Sequence, residues 1–208
     1  MDKEEFLRLH NEVVNRNASI HWHWQWFLNR ILDRTSSSRY GWFINTVTKY
    51  LKNNMVVIDI AGAFGMFGAY LMKMENFDFD YTVLDLDVMK PIAEDYFKTF
   101  EIKGKFIGGD TRQPLQIQRS TVDMIWLFGW CQTTGINCET LFSDVYRILK
   151  PNGIFMFNMS IEGYASCYGM EELIVMLTKI GLRVDIIERD ISGFALEYFV
   201  LVRKLNVL

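Results

Sequence analysis

The sequence predicts a doubly wound, Rossmann-like α/β domain whose seven-stranded sheet is mostly parallel, with N-terminal helices in front of it. Three observations support this prediction. Short apolar, β-branched runs alternate with helix-like segments from residue 55 onward. A loop of small residues follows the first of these runs. Finally, the last two runs are joined by only about residues 189–193, too few for a parallel crossover, so the last strand should run antiparallel.

The first 50 residues are predicted to form a helical lid or appendage, and residues 51–208 the main domain. Apolar residues recur at helical spacing over residues 3–17, 20–34 and 39–51. Ser19 can cap the second of these helices, and residues 35–38 form a loop before the third.

The main domain is predicted as an alternation of strands and helices. Gly181 ends the last helix because glycine readily takes the left-handed stop conformation. Strands are predicted over residues 55–60, 81–84, 105–108, 122–128, 154–158, 182–188 and 194–203, and helices over residues 67–74, 91–99, 138–149 and 170–180.

The composition narrows the class of protein. Half of the 208 residues are hydrophobic and 15% are aromatic, which favours one folded domain over disorder. The net charge of −3 argues against a nucleic-acid partner, and the three scattered cysteines predict neither a disulfide framework nor a metal site. The charged start and the lack of an apolar run of about 18 residues predict a cytoplasmic protein that does not enter the membrane.

Residues 56–68 read VVIDIAGAFGMFG, which indicates a strand, a tight loop of small residues and a helix. This arrangement lets a ligand approach the backbone at the carboxyl end of the first strand. Side chains larger than those of Ala61, Gly62, Ala63 and Gly65 would fill the ligand's space. The start of the following helix favours negatively charged ligand groups.

Acidic residues stand at three consecutive strand ends beside this loop. Asp59 lies in the first strand, and Asp85, 20 residues after Gly65, ends the second, where an acid can accept both hydroxyls of a ribose. Asp110 follows the third strand, where it can accept a hydrogen bond from an adenine amino group. Any one of these acids alone would be an ordinary turn or cap residue. Together they predict an adenosine-containing cofactor.

Two families share such a loop. The spacing of Gly62, Gly65 and Gly68 resembles that of extended short-chain dehydrogenases, and Tyr146 and Lys150 resemble their catalytic pair, which leaves a nicotinamide-dependent reductase as one alternative. However, Pro151 follows Lys150 at once, and proline ends a helix, so this pair would lie at a helix end and not inside a long helix. Asp59 also has no role in a dehydrogenase.

The same residues resemble class I S-adenosylmethionine-dependent methyltransferases more fully. Residues 58–65 are similar to the first motif of that family, Leu-Asp-x-Gly-x-Gly-x-Gly, and residues 83–89 and 109–111 resemble its ribose-binding and adenine-binding motifs. Residues 121–125 resemble its fourth strand, and residues 146–153 resemble the Arg-hydrophobic-Leu-Lys-Pro-Gly-Gly segment before the fifth. The resemblance extends over about residues 51–204 and implies S-adenosylmethionine as the cofactor.

The resemblance implies a set of cofactor-binding residues and two departures from the family pattern. Ala61 and Ala63 replace usual glycines, and the methyl group of Ala63 would approach the cofactor, which leaves open a non-catalytic relative that binds the cofactor or a partner. Leu127 and Phe128 stand where the family often has Asn or Asp. The implied cofactor-binding residues are Asp59, Ala61, Gly62, Ala63, Gly65, Asp85, Leu86, Asp110, Thr111 and Leu127.

The predicted activity is in-line methyl transfer to a small-molecule acceptor in a pocket capped by the N-terminal helices. Residues 21–26 read HWHWQW, so they could form an aromatic cover in which His21 or His23 serves as a base. Alternatively, the tryptophans dock the helix onto the domain, as aromatic stripes usually do. If Trp22 and Trp26 are exposed, they would instead form a contact surface for a second copy of this chain in a dimer. Further acceptor-site candidates in the loops after strands four and five are Trp130, Gln132, Tyr164 and Cys167.

Overall fold

Seven strands form one sheet with the order β3-β2-β1-β4-β5-β7-β6 in the computed structural model, which describes residues 1–17, 39–128, 138–160, 169–189 and 197–205. Strand β7 is antiparallel to both of its neighbours, and the pairs from β3 to β5 are all parallel. The predicted sheet, with its antiparallel last strand, is therefore confirmed. The strands are β1 (Val56–Ile60), β2 (Asp80–Asp85), β3 (Gly104–Gly108), β4 (Val122–Leu127), β5 (Leu149–Ser160), β6 (Leu182–Arg189) and β7 (Glu197–Lys204).

Helices cover both faces of the sheet. In strand β1, Val57 faces a core that it shares with the first four helices, and Ile58 faces a second core built with the last two. This alternation follows from the two-residue period of a strand, and burial on both faces explains the continuous apolar run. The α-helices of the described residues are α1 (Lys3–Arg16), α2 (Arg39–Tyr50), α3 (Met66–Lys73), α4 (Lys90–Thr99), α5 (Cys138–Ile148) and α6 (Met170–Ile180).

Helix α1 is docked on α4. Asp2 caps its start by accepting a hydrogen bond from the backbone N–H of Glu5 at 2.8 Å. The ring of Phe6 lies 4.7 Å from that of Phe100, and Arg16 donates two hydrogen bonds to the carboxylate of Asp95. The predicted helix over residues 20–34 lies outside the described residues, and the division into a lid and a main domain stays a prediction.

The boundary between α5 and β5 differs from the prediction. The sequence predicts a helix to residue 149 and a strand from residue 154, whereas α5 ends at Ile148 and β5 begins at Leu149. Leu149 pairs with Val122 of β4, and the next regular pair joins Ile154 to Met124, so the residues between them bulge out of the ladder. Local periodicity could not show this pairing because it depends on a distant strand.

The described helices are also short for a bilayer. None of those in the described ranges combines the length and the apolar character that crossing a membrane requires.

Candidate functional site

The carboxyl ends of β1, β2 and β3 meet at one edge of the sheet. The backbone N–H of Ala61 donates to the carbonyl of Leu84 at 2.8 Å, and that of Gly109 donates to the carbonyl of Asp85 at 2.9 Å. These bonds tie together the segments that follow the three strands. The carboxyl edge is where open α/β sheets bind ligands, so the structure brings the predicted loop, Asp85 and the segment carrying Asp110 to one place.

The loop between β1 and α3 has an unusual backbone. Ala61 and Ala63 both adopt left-handed conformations, with φ values of 54° and 52°, and Gly65 has a φ of 84°. Left-handed backbone costs a residue with a β-carbon roughly 1–2 kcal/mol. At Gly65 a β-carbon would also lie 2.7 Å from the ring of Phe97, so only glycine fits there. Two strained alanines in five residues indicate that the loop's path is imposed by its surroundings.

The methyl group of Ala63 belongs to the protein core. Ala63 is 7% exposed and packs in the core on the α3 side of the sheet. The sequence allows a methyl group that projects toward the ligand, but the burial of Ala63 argues against this placement. The neighbouring Ala61 is only partly buried and packs against the opposite core.

We predict that Ala63→Gly changes the dissociation constant for S-adenosylhomocysteine by less than about threefold, since the methyl group that it removes is buried. Relief of the left-handed strain should offset the extra flexibility of glycine, so thermal stability should change by about 1 kcal/mol or less. Isothermal titration and thermal unfolding measure the two quantities. Binding that became ten or more times tighter would contradict this prediction and show that the methyl group obstructs the ligand.

Asp85 presents a partly open carboxylate at the junction of the three strands. One oxygen accepts the backbone N–H of Ala63 at 2.8 Å, and the other accepts that of Leu86 at 2.7 Å. Because each carboxylate oxygen can accept two hydrogen bonds, the described part of the chain leaves one position on each. Burial raises the pKa of Asp85 above its ordinary value, while the two backbone donors oppose this increase. The geometry therefore suits a ligand with two adjacent hydroxyls.

Asp110 lies on the surface at the start of the segment between β3 and β4. The guanidinium of Arg112 binds both of its oxygens, with Nε at 2.9 and 2.8 Å, and the backbone N–H of Arg112 donates at 2.9 Å. These hydrogen bonds hold the pKa of Asp110 below its ordinary value. Asp110 is thus a charged acceptor beside Thr111, and its contact with an adenine amino group stays a prediction.

Asp59 supports the loop from below. It is 1% exposed, and the hydroxyl of Tyr81 donates to its Oδ2 atom at 2.8 Å. A β-carbon on Gly62 would lie 2.5 Å from the carboxyl carbon of Asp59, so the loop rests directly on this carboxyl group. Burial raises the pKa of Asp59 to about 7, the hydrogen bond from Tyr81 lowers it, and the charge of Asp85 raises it. A direct contact between Asp59 and the cofactor stays a prediction.

Leu86 and Leu127 occupy different surroundings. Leu127 ends β4 beside Ile60 of β1 and is fully buried, whereas Leu86 is 53% exposed just after Asp85. The side chain of Leu127 therefore fills the core, and only its backbone lies at the carboxyl edge. Leu86 is free to contact a ligand held by Asp85, and both roles in cofactor binding stay predictions.

Tyr146 and Lys150 do not form a catalytic pair. The amine of Lys150 binds the carboxylate of Asp123 at 2.8 and 2.9 Å, and the ring of Tyr146 lies 4.5 Å from the amine of Lys204. Asp123 also accepts the backbone N–H of Val56, the first residue of β1, at 2.8 Å. These residues therefore fix the amino ends of the strands, opposite the candidate site, and the dehydrogenase alternative loses its catalytic pair.

The predicted acceptor-site residues are not among those that the structure describes. His21, His23, Tyr164 and the further candidates Trp22, Trp26, Trp130, Gln132 and Cys167 lie outside the described residues.

The sequence did not predict the roles of two side chains that support the site. Tyr81 holds Asp59, and Arg147 binds the segment between β3 and β4. The sequence does contain a signal for one of these contacts. Asp144 and Arg147 are three residues apart on one helix, which is a spacing typical of an ion pair. A buried tyrosine also needs a partner for its hydroxyl, but the sequence does not name that partner.

Comparison with known proteins identifies the family of this chain. The family described as Methyltransferase domain matches residues 47–157, just over half of the chain. The chain belongs to this family, and it is a class I S-adenosylmethionine-dependent methyltransferase. A comparison with curated proteins gave no match.

Solved structures with low sequence identity share the fold. The cyclase SpnF has a TM-score of 0.66 at 13% identity, over 77% of this chain and 79% of its own. An S-adenosylmethionine-dependent methyltransferase from Aquifex aeolicus has a TM-score of 0.61 at 18% identity, over 77% and 89%. Phosphoethanolamine N-methyltransferase 2 from Haemonchus contortus, in complex with S-adenosylmethionine, has a TM-score of 0.64 at 14% identity, over 81% and 54%.

Proposed function

We propose that this chain transfers the methyl group of S-adenosylmethionine to a small-molecule acceptor, and that Asp85 is the main side chain that holds the cofactor. The observation that carries this proposal is the carboxylate of Asp85, which lies at the junction of three strand ends and accepts one hydrogen bond per oxygen from the described residues, so that each oxygen can accept one more. An adenosine ribose offers two adjacent hydroxyls as donors, which matches these positions.

The other predicted residues fit the remaining parts of the cofactor. Asp110 and Thr111 follow β3 beside Asp85 and would face the adenine. Residues 61–65 are alanine and glycine except for Phe64, and the side chain of Phe64 is buried in the core. The loop therefore leaves its backbone accessible to the methionine part of the cofactor. The start of α3 behind the loop favours the methionine carboxylate.

Bound S-adenosylmethionine supplies a reactive methyl group on a sulfonium. The task of the chain is to hold the acceptor in line with that methyl group and to exclude water. A base is required only for an acceptor that must lose a proton as it attacks. His21, His23 and Tyr164 are the candidates that we carry forward for this role.

The described residues support a cap formed by the N-terminal segment. Trp42 and Phe43, in the first turns of α2, lie against Phe128, with ring centroids 6.5 and 4.0 Å away. Phe128 follows β4 at the carboxyl edge of the sheet, and Trp42 also stacks on Phe199 of β7. The chain therefore enters α2 beside the candidate site, which favours the preceding residues 18–38 as its cover.

A small-molecule acceptor is supported by charge and by analogy. The net charge of −3 provides no excess of cations to hold a nucleic-acid backbone. The Haemonchus contortus protein that shares the fold is named for phosphoethanolamine, a small molecule. Because unrelated activities can share one fold, this analogy requires a direct test.

The test is titration of S-adenosylhomocysteine into the wild type, Asp85→Ala and the matched control Asp80→Ala. Loss of two hydrogen bonds to a charged group should weaken binding to Asp85→Ala by about 100-fold or more. Asp80 is the first residue of β2, at the amino end of the strand and away from the candidate site. It forms an exposed ion pair with Lys105, so its removal should change binding by less than about twofold. An equal loss in both variants, or no binding to the wild type, would overturn the proposal.

Turnover then separates the two remaining classes of function. S-adenosylhomocysteine should accumulate when the wild type receives S-adenosylmethionine and a panel of small amines, phenols and carboxylates. Cofactor binding without turnover on any member of the panel would assign the chain to the non-catalytic relatives.

A further inference from the structure

The crossover from β3 to β4 differs from the other parallel crossovers of the sheet. Helices α3, α4 and α5 lie in the connections from β1 to β2, from β2 to β3 and from β4 to β5, but residues 109–121 form neither helix nor strand. Leu115 of this segment is 5% exposed and packs in the same core as Ile58, Ile60 and Leu84. The segment therefore covers β1 and β2 on the face of the sheet that α5 shares, where a helix usually lies.

Two side chains of α5 hold this segment in place. Arg147 donates from Nη2 to the carbonyl of Leu115 at 2.7 Å and from Nη1 to the carbonyl of Ile117 at 2.6 Å. Asp144 accepts the backbone N–H of Leu115 and also binds Nε of Arg147. We call these two residues the Asp144–Arg147 clamp. The clamp pairs the N–H of Leu115 and the carbonyl of Ile117, and it gives a second donor to the carbonyl of Leu115, which also accepts the N–H of Ile117.

The chemistry of the clamp is specific to arginine. A guanidinium presents several donors in a fixed plane, so it can bind two carbonyls and a carboxylate together, which a lysine amine cannot reproduce with the same geometry. The side chain of Asp144 is 11% exposed and that of Arg147 is 32% exposed, so solvent competes only partly for these bonds. The clamp is thus a stronger anchor than an exposed surface ion pair.

The clamp and β2 fix the two ends of a short turn that carries Asp110. On one side, the backbone N–H of Gly109 donates to the carbonyl of Asp85 at 2.9 Å. On the other side, Leu115 is bound by the clamp. Between them, the N–H of Gln113 donates to the carbonyl of Asp110 at 2.8 Å. Asp110 is partly exposed, and among the described residues the side chain that binds its carboxylate is that of Arg112, two residues away in the same turn.

We propose that the Asp144–Arg147 clamp positions Asp110 and thereby sets the selectivity of the site for a base that carries an exocyclic amino group. This inference rests on the proposed function, in which Asp110 accepts a hydrogen bond from the adenine amino group. Arg147 and Asp144 act through the turn and do not touch the cofactor, so they are positioning residues. Their loss should reduce recognition of the amino group while the ribose contact at Asp85 persists.

The test compares S-adenosylhomocysteine with its 6-oxo analogue, S-inosylhomocysteine, in which a carbonyl oxygen replaces the amino group. The wild type should prefer the adenine compound by about tenfold or more, because a carboxylate facing a carbonyl oxygen loses a hydrogen bond to a charged group. Asp110→Ala and Arg147→Met should both bring this preference to within about twofold. Asp85→Ala should weaken both compounds and leave their ratio unchanged.

Matched variants separate positioning from a general loss of stability. Lys204→Met removes a hydrogen bond from Lys204 to the carbonyl of Leu149, near the same end of α5. Within the segment, Lys204 interacts electrostatically with Arg119, beyond the turn that carries Asp110, so this variant should keep the wild-type preference. Asp144→Asn, which keeps the size of the side chain, should reduce the preference if Arg147→Met does not fold. A wild-type preference in a folded clamp variant overturns the inference. Failure of the wild type to bind either compound instead overturns the proposed function.

Discussion

Asp59→Asn should raise the free energy of unfolding by about 4 kcal/mol at pH 8 and have almost no effect at pH 4. The reason is the location of the Asp59 carboxyl group, which is fully buried beneath the loop and accepts a hydrogen bond from Tyr81. Burial penalises the charged form and raises the pKa from 3.8 to about 7. Asparagine carries no charge at any pH, and its side-chain oxygen can still accept the hydrogen bond.

The direction of the effect follows from proton linkage. Between pH 4 and 7 the folded protein keeps the proton on Asp59, whereas the unfolded chain has lost it. Stability of the wild type therefore falls as the pH rises through this window. A shift of about three pKa units corresponds to about 4 kcal/mol once the folded form is also ionised.

Urea unfolding of the wild type and Asp59→Asn at several pH values between 4 and 8 measures this difference. Asp80→Asn serves as the control, because Asp80 is exposed and paired with Lys105, so its substitution should change stability by less than about 1 kcal/mol at each pH. A difference between the wild type and Asp59→Asn that stays constant from pH 4 to 8 would show that Asp59 does not titrate in this window.

A carboxyl group that weakens the fold at neutral pH needs another reason to be present. The loop rests on it through Gly62, and the charge of Asp85 acts on it. Substitution by asparagine should therefore cost cofactor affinity while it increases stability, as is common where a functional site is built against the preference of the fold.

The sequence was sufficient to predict the sheet because the necessary signals are local. The few residues before β7 exclude a crossover, and this alone predicts the antiparallel strand that the structure shows. The start of β5 was predicted wrongly because it depends on the pairing of Leu149 with Val122, which no local pattern contains. Boundaries that are set by tertiary pairing are the ones that periodicity misplaces.

The candidate site divides in the same way. Asp85 and Asp110 could be located because each follows a strand, and parallel strands end at one edge. The support for these residues could not be found, because Tyr81 meets Asp59 across 22 positions and Arg147 meets Leu115 across 32. Ala63 shows a third limit, since the sequence gives its methyl group but only the fold shows that it points into the core.

Gly68→Ala should lower the free energy of unfolding by about 3 kcal/mol, although alanine is the better helix former by about 1 kcal/mol. Gly68 lies in the first turn of α3, where a β-carbon would be 2.3 Å from Cε1 and Cζ of Tyr81. The ring of Tyr81 is fully buried among Phe79, Phe97 and Trp126, and its hydroxyl is bound to Asp59. The ring cannot move aside without breaking that hydrogen bond, so overpacking should outweigh helix propensity.

Urea unfolding of Gly68→Ala and Gly109→Ala makes the comparison direct. A β-carbon on Gly109 would meet nothing closer than Leu84 at 3.7 Å, which is ordinary contact, so this control should change stability by less than about 1 kcal/mol. The same Gly68→Ala change made in a Tyr81→Val background should cost much less than in the wild type, because the ring that it strikes is gone. An equal cost in both backgrounds would show that Tyr81 does not constrain α3, and the close approach of helix, ring and buried carboxyl group would then need another explanation.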